Sequence, residues 1–339
     1  MDTLHKGRQT IVFDRHPVIL AHSAIAGKKE SEGPLAGFFD HTETDTRFGQ
    51  KTWEKAETRL QELALDTARS KAQLQYSDLD VLFAGDLLNQ CISSAFAIRD
   101  TRIPFLGLYG ACSTMAESLT LAAAAVNAGY AARAAALTSS HFATAERQYR
   151  FPLGYGGQRT PTAQWTVTGS GCCIVASGGR GPYLNCATIG RIEDYGIKDA
   201  NNMGAAMAPA AYSTLRAHFA DTGLRPQDYD LIVTGDLGTL GSTIVTDLFQ
   251  RDGVEFGANY RDCGVLIYDL KRQDVHAGGS GCGCGASVLC GYLLRQLREK
   301  KINSLLFCAT GALMSPVSTW QGESIPAICH AISISNERR

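Results

Sequence analysis

The sequence has no excess of charge of either sign. Its 339 residues contain 32 lysines and arginines against 33 aspartates and glutamates, which gives a formal net charge of −1. This balance argues against nucleic acid as a partner and against a polybasic membrane anchor. The first twenty residues contain charges throughout and no apolar core, so we expect no signal peptide. The longest apolar stretch, 119–137, contains Asn127 and Arg133, so no transmembrane helix is expected.

The sequence also lacks the cysteine spacing of a zinc finger or a disulfide framework. Its 11 cysteines are an odd number, and two of them, Cys172 and Cys173, are adjacent. Cys282 and Cys284 are too close together for a CxxC pair. We therefore predict reduced thiols in a cytosol-like compartment and no protein-bound metal. The 45% hydrophobic residues suffice for a large core, and the 35 glycines predict many tight turns.

The chain contains an internal duplication. Residues 80–87 (DVLFAGDL) match residues 230–237 (DLIVTGDL) at an offset of 150. An amphipathic helix precedes each copy, and a short helix, a strand, a long helix and a closing strand follow it in the same order. The order predicts an α/β protein of two similar halves, 1–180 and 181–339. Residues 141–166 have no counterpart in the second half, which indicates an insertion that covers a site or an oligomer interface, or else a surface excursion.

The elements of the two halves are predicted at corresponding places. In the first half, we expect a β-like run, the amphipathic helix, the short helix, the strand and the closing strand at 10–21, 51–71, 93–99, 103–109 and 134–139. In the second half, we expect the same elements at 182–192, 208–219, 242–250, 265–268 and 304–310. The two long helices are expected to end near residues 129 and 300. Pro209 would lie in the first turn of its helix.

Three motifs resemble the thiolase and ketoacyl synthase superfamily. Residues 110–114 (GACST), between an apolar strand and an alanine-rich helix, resemble the turn that holds the superfamily's nucleophile. Residues 168–175 (TGSGCCIV) and 308–311 (CATG) are similar to its glycine-rich turns. The resemblance implies a five-layer αβαβα fold with a pseudo-twofold axis. It also implies a homodimer.

Longer motifs resemble one subgroup, the stage V sporulation protein AD family. They are FAGDLLNQ at 83–90, TSSH at 138–141, ATAERQ at 143–148, YGGQ at 155–158, MGAAMAPA at 203–210, AGGSGC at 277–282 and ATGAL at 309–313. The resemblance implies a non-catalytic protein that binds dipicolinic (pyridine-2,6-dicarboxylic) acid, free or as its calcium chelate. It further implies a peripheral subunit of a membrane assembly, on the cytoplasmic side of the inner membrane of the developing spore, which moves this acid into the spore. Other membrane proteins of that assembly would be its partners.

Cys112 is the candidate nucleophile, because a helix amino terminus favours a thiolate. In the enzymes that the chain resembles, one histidine follows the strand of the repeated motif, where this chain has Asp236. The second partner precedes the last long helix, where this chain reads GCGCG at 281–285. Both partners of the cysteine are absent from these places. We therefore predict a binding pocket with no catalytic residues, against the alternatives of a cysteine-dependent acyltransferase and of an assembly subunit with a vestigial pocket.

The candidate ligand-binding residues carry groups that suit a dicarboxylate or its calcium ion. Arginine offers two hydrogen bonds to a carboxylate, glycine-rich turns offer backbone N–H groups, and aspartate oxygens suit calcium. The candidates are Asp86, Asn89, Cys112, Ser113, His141, Arg147, Arg150, Asp236 and Ser280. Six of them also have a structural interpretation: the arginines on a solvated loop, the histidine as a structural core residue, the aspartates as caps and the cysteine as a small core residue. The aromatic residues of the insertion (Phe142, Tyr149, Phe151 and Tyr155) would stack on a planar acid or fill a dimer interface.

Overall fold

The computed structural model describes residues 4–149 and 158–338. Arg150, Phe151 and Tyr155 lie outside the described residues. In the first half the strands are β1 (His5–Lys6), β2 (Thr10–Val12), β3 (Val18–Ala26), β4 (His41–Thr42), β5 (Val81–Gly85), β6 (Phe105–Gly107), β7 (Arg133–Ser140), β8 (Trp165–Thr166) and β9 (Gly169–Ala176). The helices are α1 (Lys28–Ser31), α2 (Trp53–Lys71), α3 (Ile92–Ile98), α4 (Thr114–Ala128) and α5 (Phe142–Tyr149).

The second half repeats this order of elements. Its strands are β10 (Tyr183–Thr188), β11 (Leu231–Thr234), β12 (Tyr260–Asp262), β13 (Gly279–Ser280), β14 (Ser304–Ala312) and β15 (Ala327–Ser335). Its helices are α6 (Met203–Thr222), α7 (Gly238–Arg251), α8 (Cys263–Leu266), α9 (Cys282–Ser287), α10 (Leu294–Arg298) and α11 (Pro316–Trp320). A π-helical turn, Val288–Leu293, joins α9 to α10.

Two five-stranded sheets of matching order form the centre of the molecule. The strand order is β6-β5-β7-β9-β3 in the first half and β12-β11-β14-β15-β10 in the second, and the sheets meet where Val18 pairs with Tyr183. In each sheet the three outer strands are parallel, and the fourth and fifth are joined by antiparallel pairing. This matching order confirms the predicted duplication. The predicted division at residue 180 falls in the connection from β9 to β10 and stays a prediction.

The helices complete five layers. Helix α4 contacts β5, β7 and β9 of one sheet and β14 and β15 of the other, and it also contacts α9. Its side chains Met115, Leu119 and Ala122 are fully buried, which explains why this alanine-rich helix has no polar face. Helix α2 covers the outer face of the first sheet, and α6 covers that of the second. The predicted αβαβα fold is therefore confirmed.

Two local predictions were wrong. The strand expected at 265–268 is instead β12, at Tyr260–Asp262, and the next residues form α8. The Asp262 carboxylate explains the change of structure, because it caps α8 by accepting a hydrogen bond from the N–H of Val265 at 3.2 Å. Helix α6 begins at Met203, so Pro209 lies in its second turn and not in its first.

Candidate functional site

The turn between β6 and α4 places Cys112 at the amino-terminal end of a buried helix. Ala111 has a left-handed φ of 50°, and the hydroxyl of Ser113 donates to the carbonyl of Gly110 at 2.7 Å. Gly311 of β14 lies against this turn, where a Cβ atom would come within 2.3 Å of the Gly110 oxygen. The hydroxyl of Ser113 thus belongs to the turn, whereas Cys112 faces a pocket.

The pocket lies between the two halves and contains about 420 Å³ of space not filled by protein atoms, part of it open to solvent. Its lining is mostly apolar, with a few hydroxyl groups and one carboxylate. The described lining residues are Leu87, Tyr109, Ala111, Cys112, Ala145, Glu146, Tyr149, Thr166, Met203, Ser280, Gly281, Ala312 and Met314. Within this described lining there is no lysine or arginine. Cys112 and Ser280, two of the nine candidate residues, line it, as does the predicted aromatic Tyr149.

Asp236 lies fully buried beneath the pocket, two residues after the end of β11. Its carboxylate accepts hydrogen bonds from the N–H of Gly281 at 2.9 Å, the hydroxyl of Thr310 at 2.9 Å and the hydroxyl of Ser280 at 3.3 Å. The glycine-rich turn at 278–281 was predicted to present N–H groups to a ligand anion. Its Gly281 N–H instead binds the carboxylate of Asp236. Burial raises the pKa of Asp236 to about 6, so the carboxylate remains mainly ionised at neutral pH.

The Cys112 thiol faces this carboxylate. Burial, together with the negative charge of Asp236, raises the pKa of the thiol well above its ordinary value. A catalytic cysteine needs the opposite environment, in which a cationic partner favours the thiolate. Burial and the neighbouring carboxylate therefore favour the protonated thiol over the thiolate.

Tyr109 and Tyr149 form one wall of the pocket. Tyr109 follows β6, and Tyr149 is the last residue of α5. Their hydroxyl groups are hydrogen-bonded to each other, and the Tyr149 hydroxyl also donates to the carbonyl of Leu87 at 2.9 Å. The insertion thus contributes a wall of the pocket. Phe142, the other predicted aromatic among the described residues, stacks on Trp165 with the ring centroids 3.9 Å apart.

Asp86, the counterpart of Asp236 in the first half, lies outside the described lining of the pocket. Its carboxylate accepts from the N–H and the hydroxyl of Ser94, at 2.8 and 2.7 Å, and from the N–H of Leu88 at 2.9 Å. Nearby, Glu57 of α2 accepts hydrogen bonds from Ser139 of β7 and Thr144 of α5. Burial, with the charge of Asp86, raises the pKa of Glu57 to about 8. This polar cluster anchors α5, which forms part of the pocket wall.

Three other predicted residues make contacts outside this pocket. Arg147 forms an ion pair with Glu54, and Asn89 accepts a hydrogen bond from Gln148 at 2.9 Å. The buried ring of His141 is held by the carbonyl of Thr46 at 2.8 Å through Nε2 and by the N–H of Ala143 at 3.1 Å through Nδ1. His141 is thus buried and hydrogen-bonded to the backbone, whereas Arg147 lies on helix α5 and not on a loop. Arg150, the remaining candidate, lies outside the described residues.

Sequence reasoning did not select Tyr109, Glu146 or Thr166. Glu146 accepts a hydrogen bond from the hydroxyl of Thr166 at 3.0 Å, and both residues line the pocket. Tyr109 directly precedes the nucleophile turn, which was the one available signal for it. Within the described ranges, no group of three or more histidine, cysteine, aspartate or glutamate side chains is arranged to hold a metal ion.

Two solved structures are compared with this fold. The 3-oxoacyl-[acyl-carrier-protein] synthase III of Aquifex aeolicus is 12% identical, with a TM-score of 0.57 over 94% of this chain and 99% of that one. Cerulenin-bound OleA of Xanthomonas campestris is 13% identical, with a TM-score of 0.63 over 96% of this chain and 97% of that one. At such low identity the likeness shows the fold alone. The chain thus has the thiolase-like fold of these two structures.

The sequence comparison narrows this class. A sequence model described as Stage V sporulation protein AD (SpoVAD) matches residues 7–335. Stage V sporulation protein AD of Bacillus subtilis (strain 168) is 47% identical over 327 residues, which are 96% of each chain. The chain therefore belongs to the stage V sporulation protein AD family, and its role is in sporulation. Among the described residues, no helix has both the length and the apolar character needed to cross a membrane.

Proposed function

We propose that the protein binds dipicolinic acid in the pocket at Cys112 and catalyses no reaction on it. The observation that supports the absence of catalysis is the partner of the thiol. Asp236 stands where a condensing enzyme would need a cationic or neutral base, and its negative charge disfavours the thiolate. The pocket lies where a condensing enzyme has its active site, but a negative carboxylate takes the place of the base that would activate the cysteine.

The charge of the pocket favours a particular form of the acid. The described lining contains Glu146, and Asp236 lies directly beneath. A free dicarboxylate would bring two further negative charges into this low-dielectric site, which is costly. The 1:1 calcium chelate of the dianion has no net charge, since the ion balances both carboxylates. We therefore propose that the chelate is the preferred ligand and that calcium arrives with the acid.

Isothermal titration with dipicolinic acid, with and without calcium, tests this function. Benzoate serves as the single-carboxylate control, and Cys112→Ala tests the location of the site. We expect saturable binding that is stronger with calcium, absent for benzoate and weakened by the substitution. No heat and no competition at millimolar ligand would overturn the binding function. Incubation with acyl thioesters followed by mass spectrometry tests the alternative, since an acyltransferase would leave an acyl group on Cys112.

We propose two kinds of association for this protein, one with membrane proteins and one with a second copy of itself. We propose that it acts as a peripheral subunit, at the cytoplasmic side of the inner spore membrane, of the assembly that moves the acid into the developing spore. We also propose that it forms a homodimer through β6. In the described residues β6 pairs with β5 alone, at the end of the sheet, and its Leu106 is 54% exposed. An apolar edge strand of this kind is a ready pairing surface for a second copy.

A further inference from the structure

The hydroxyl groups of Tyr109 and Tyr149 on the pocket wall donate their protons to different kinds of acceptor. A phenol has one proton to donate. Tyr149 donates its proton to the Leu87 carbonyl at 2.9 Å, so in the contact between the two hydroxyls Tyr109 is the donor. Tyr149 is therefore tied to the backbone, whereas the proton of Tyr109 is bound only to another side chain. An acceptor that enters the pocket can take the Tyr109 proton without breaking a backbone hydrogen bond.

Tyr109 has the position and the charge state of a donor to an incoming anion. Its side chain lines the pocket beside Cys112, and it is 42% exposed, so it can turn between Tyr149 and a ligand. Burial raises the pKa of Tyr109 to about 12, so the hydroxyl keeps its proton throughout the neutral range. A neutral hydroxyl gives a carboxylate a short, strong hydrogen bond without adding a charge to the site.

We infer that Tyr109 determines the specificity for a diacid by donating its hydroxyl proton to one of the two ligand carboxylates. Tyr149 is a positioning residue, which holds the Tyr109 ring toward the pocket while the pocket is empty. This inference rests on the proposed function. An acid with a single carboxylate gives up one of the two carboxylate contacts, so Tyr109 contributes to the difference in affinity between a diacid and a monoacid.

The test compares two acids on four proteins. Calorimetry with calcium measures pyridine-2,6-dicarboxylic and pyridine-2-carboxylic acid on wild type, Tyr109→Phe, Tyr149→Phe and Tyr212→Phe. Tyr212 is the matched control, because its hydroxyl bonds to Asp252 on the surface of the second half. Each substitution removes one oxygen and keeps the ring, and melting temperatures confirm that the variants fold.

Tyr109→Phe should lower the affinity for the diacid about tenfold or more, because it removes a hydrogen bond to a charged group. Binding of the monoacid should change less than threefold, so the ratio of the two affinities falls. Tyr149→Phe should lower the ratio less, and Tyr212→Phe should leave it unchanged. An unchanged ratio in Tyr109→Phe, with wild type binding the diacid, overturns this inference alone. No binding of the diacid by wild type overturns the proposed function and this inference together.

Discussion

The thiol of Cys112 and the carboxylate of Asp236 face each other in the protein interior, and the carboxylate carries a negative charge. A second negative charge on the sulfur would be repelled, so the pair keeps its proton on the thiol. The hydrogen bonds from Gly281 and Thr310 help to keep the charge on Asp236. Burial and the charge of Asp236 thus act together to disfavour the thiolate of Cys112.

Asp236→Asn should make Cys112 more reactive. The amide removes the charge that opposes the thiolate, so the pKa of the thiol falls, and alkylation at pH 8 should accelerate about tenfold for each unit of that fall. The rate is measured by mass spectrometry of the Cys112 peptide after iodoacetamide treatment of the folded protein. Asp86→Asn, which changes the corresponding carboxylate of the other half, is the control. Equal rates in wild type and Asp236→Asn would contradict this account.

Gly311→Ala should destabilise the protein. Its Cβ atom would lie 2.3 Å from the Gly110 oxygen and 3.1 Å from the Ser113 nitrogen, so β14 and the nucleophile turn must separate. Overpacking of this kind costs about 1–3 kcal/mol of the free energy of unfolding. Urea unfolding followed by circular dichroism measures the change. Gly37→Ala is the control, because a Cβ atom there meets nothing within 4 Å. If Gly311→Ala lowered the free energy of unfolding no more than Gly37→Ala does, the close contact would be refuted.

The positions of the aspartates that follow the strands could be predicted from the sequence, whereas most side chains that form the pocket wall could not. Asp86 and Asp236 follow equivalent parallel strands, and a repeated motif after a buried strand has one geometric meaning. The insertion has no such repeat. Its helix α5 turns Ala145, Glu146 and Tyr149 toward the pocket and Thr144 and Arg147 toward α2, where they contact Glu57 and Glu54. Without a predicted helix there was no basis for dividing these neighbours between two faces.

Replacing the buried Glu57 should change how stability depends on pH. Its pKa is raised from 4.5 to about 8 in the folded protein, so the folded state binds a proton that the unfolded state releases. The contribution of this group to stability is complete below about pH 4.5 and is lost as the pH rises to about 8. Glu57→Gln removes the titrating group, so the free energy of unfolding should fall less between pH 5 and pH 8 than in wild type.

Urea midpoints across this pH range provide the measurement. Glu62→Gln is the matched control, since Glu62 lies on the same helix but is partly exposed and pairs with Arg59. Its curve should run parallel to that of wild type. A Glu57→Gln curve that is also parallel to wild type would show that Glu57 is ionised in the folded protein.

Leu106→Glu should separate the proposed dimer. Two copies that pair through β6 would bring the Leu106 side chains together, and a buried glutamate in each copy would face another of the same charge. Light scattering coupled to size-exclusion chromatography should show a dimer for wild type and a monomer for the variant at micromolar concentration. Trp320→Glu is the control, because Trp320 is 76% exposed on α11, away from this edge of the sheet. A wild-type monomer, or a dimer that persists in Leu106→Glu, would exclude β6 as the interface, and separation by Trp320→Glu alone would move the interface to α11.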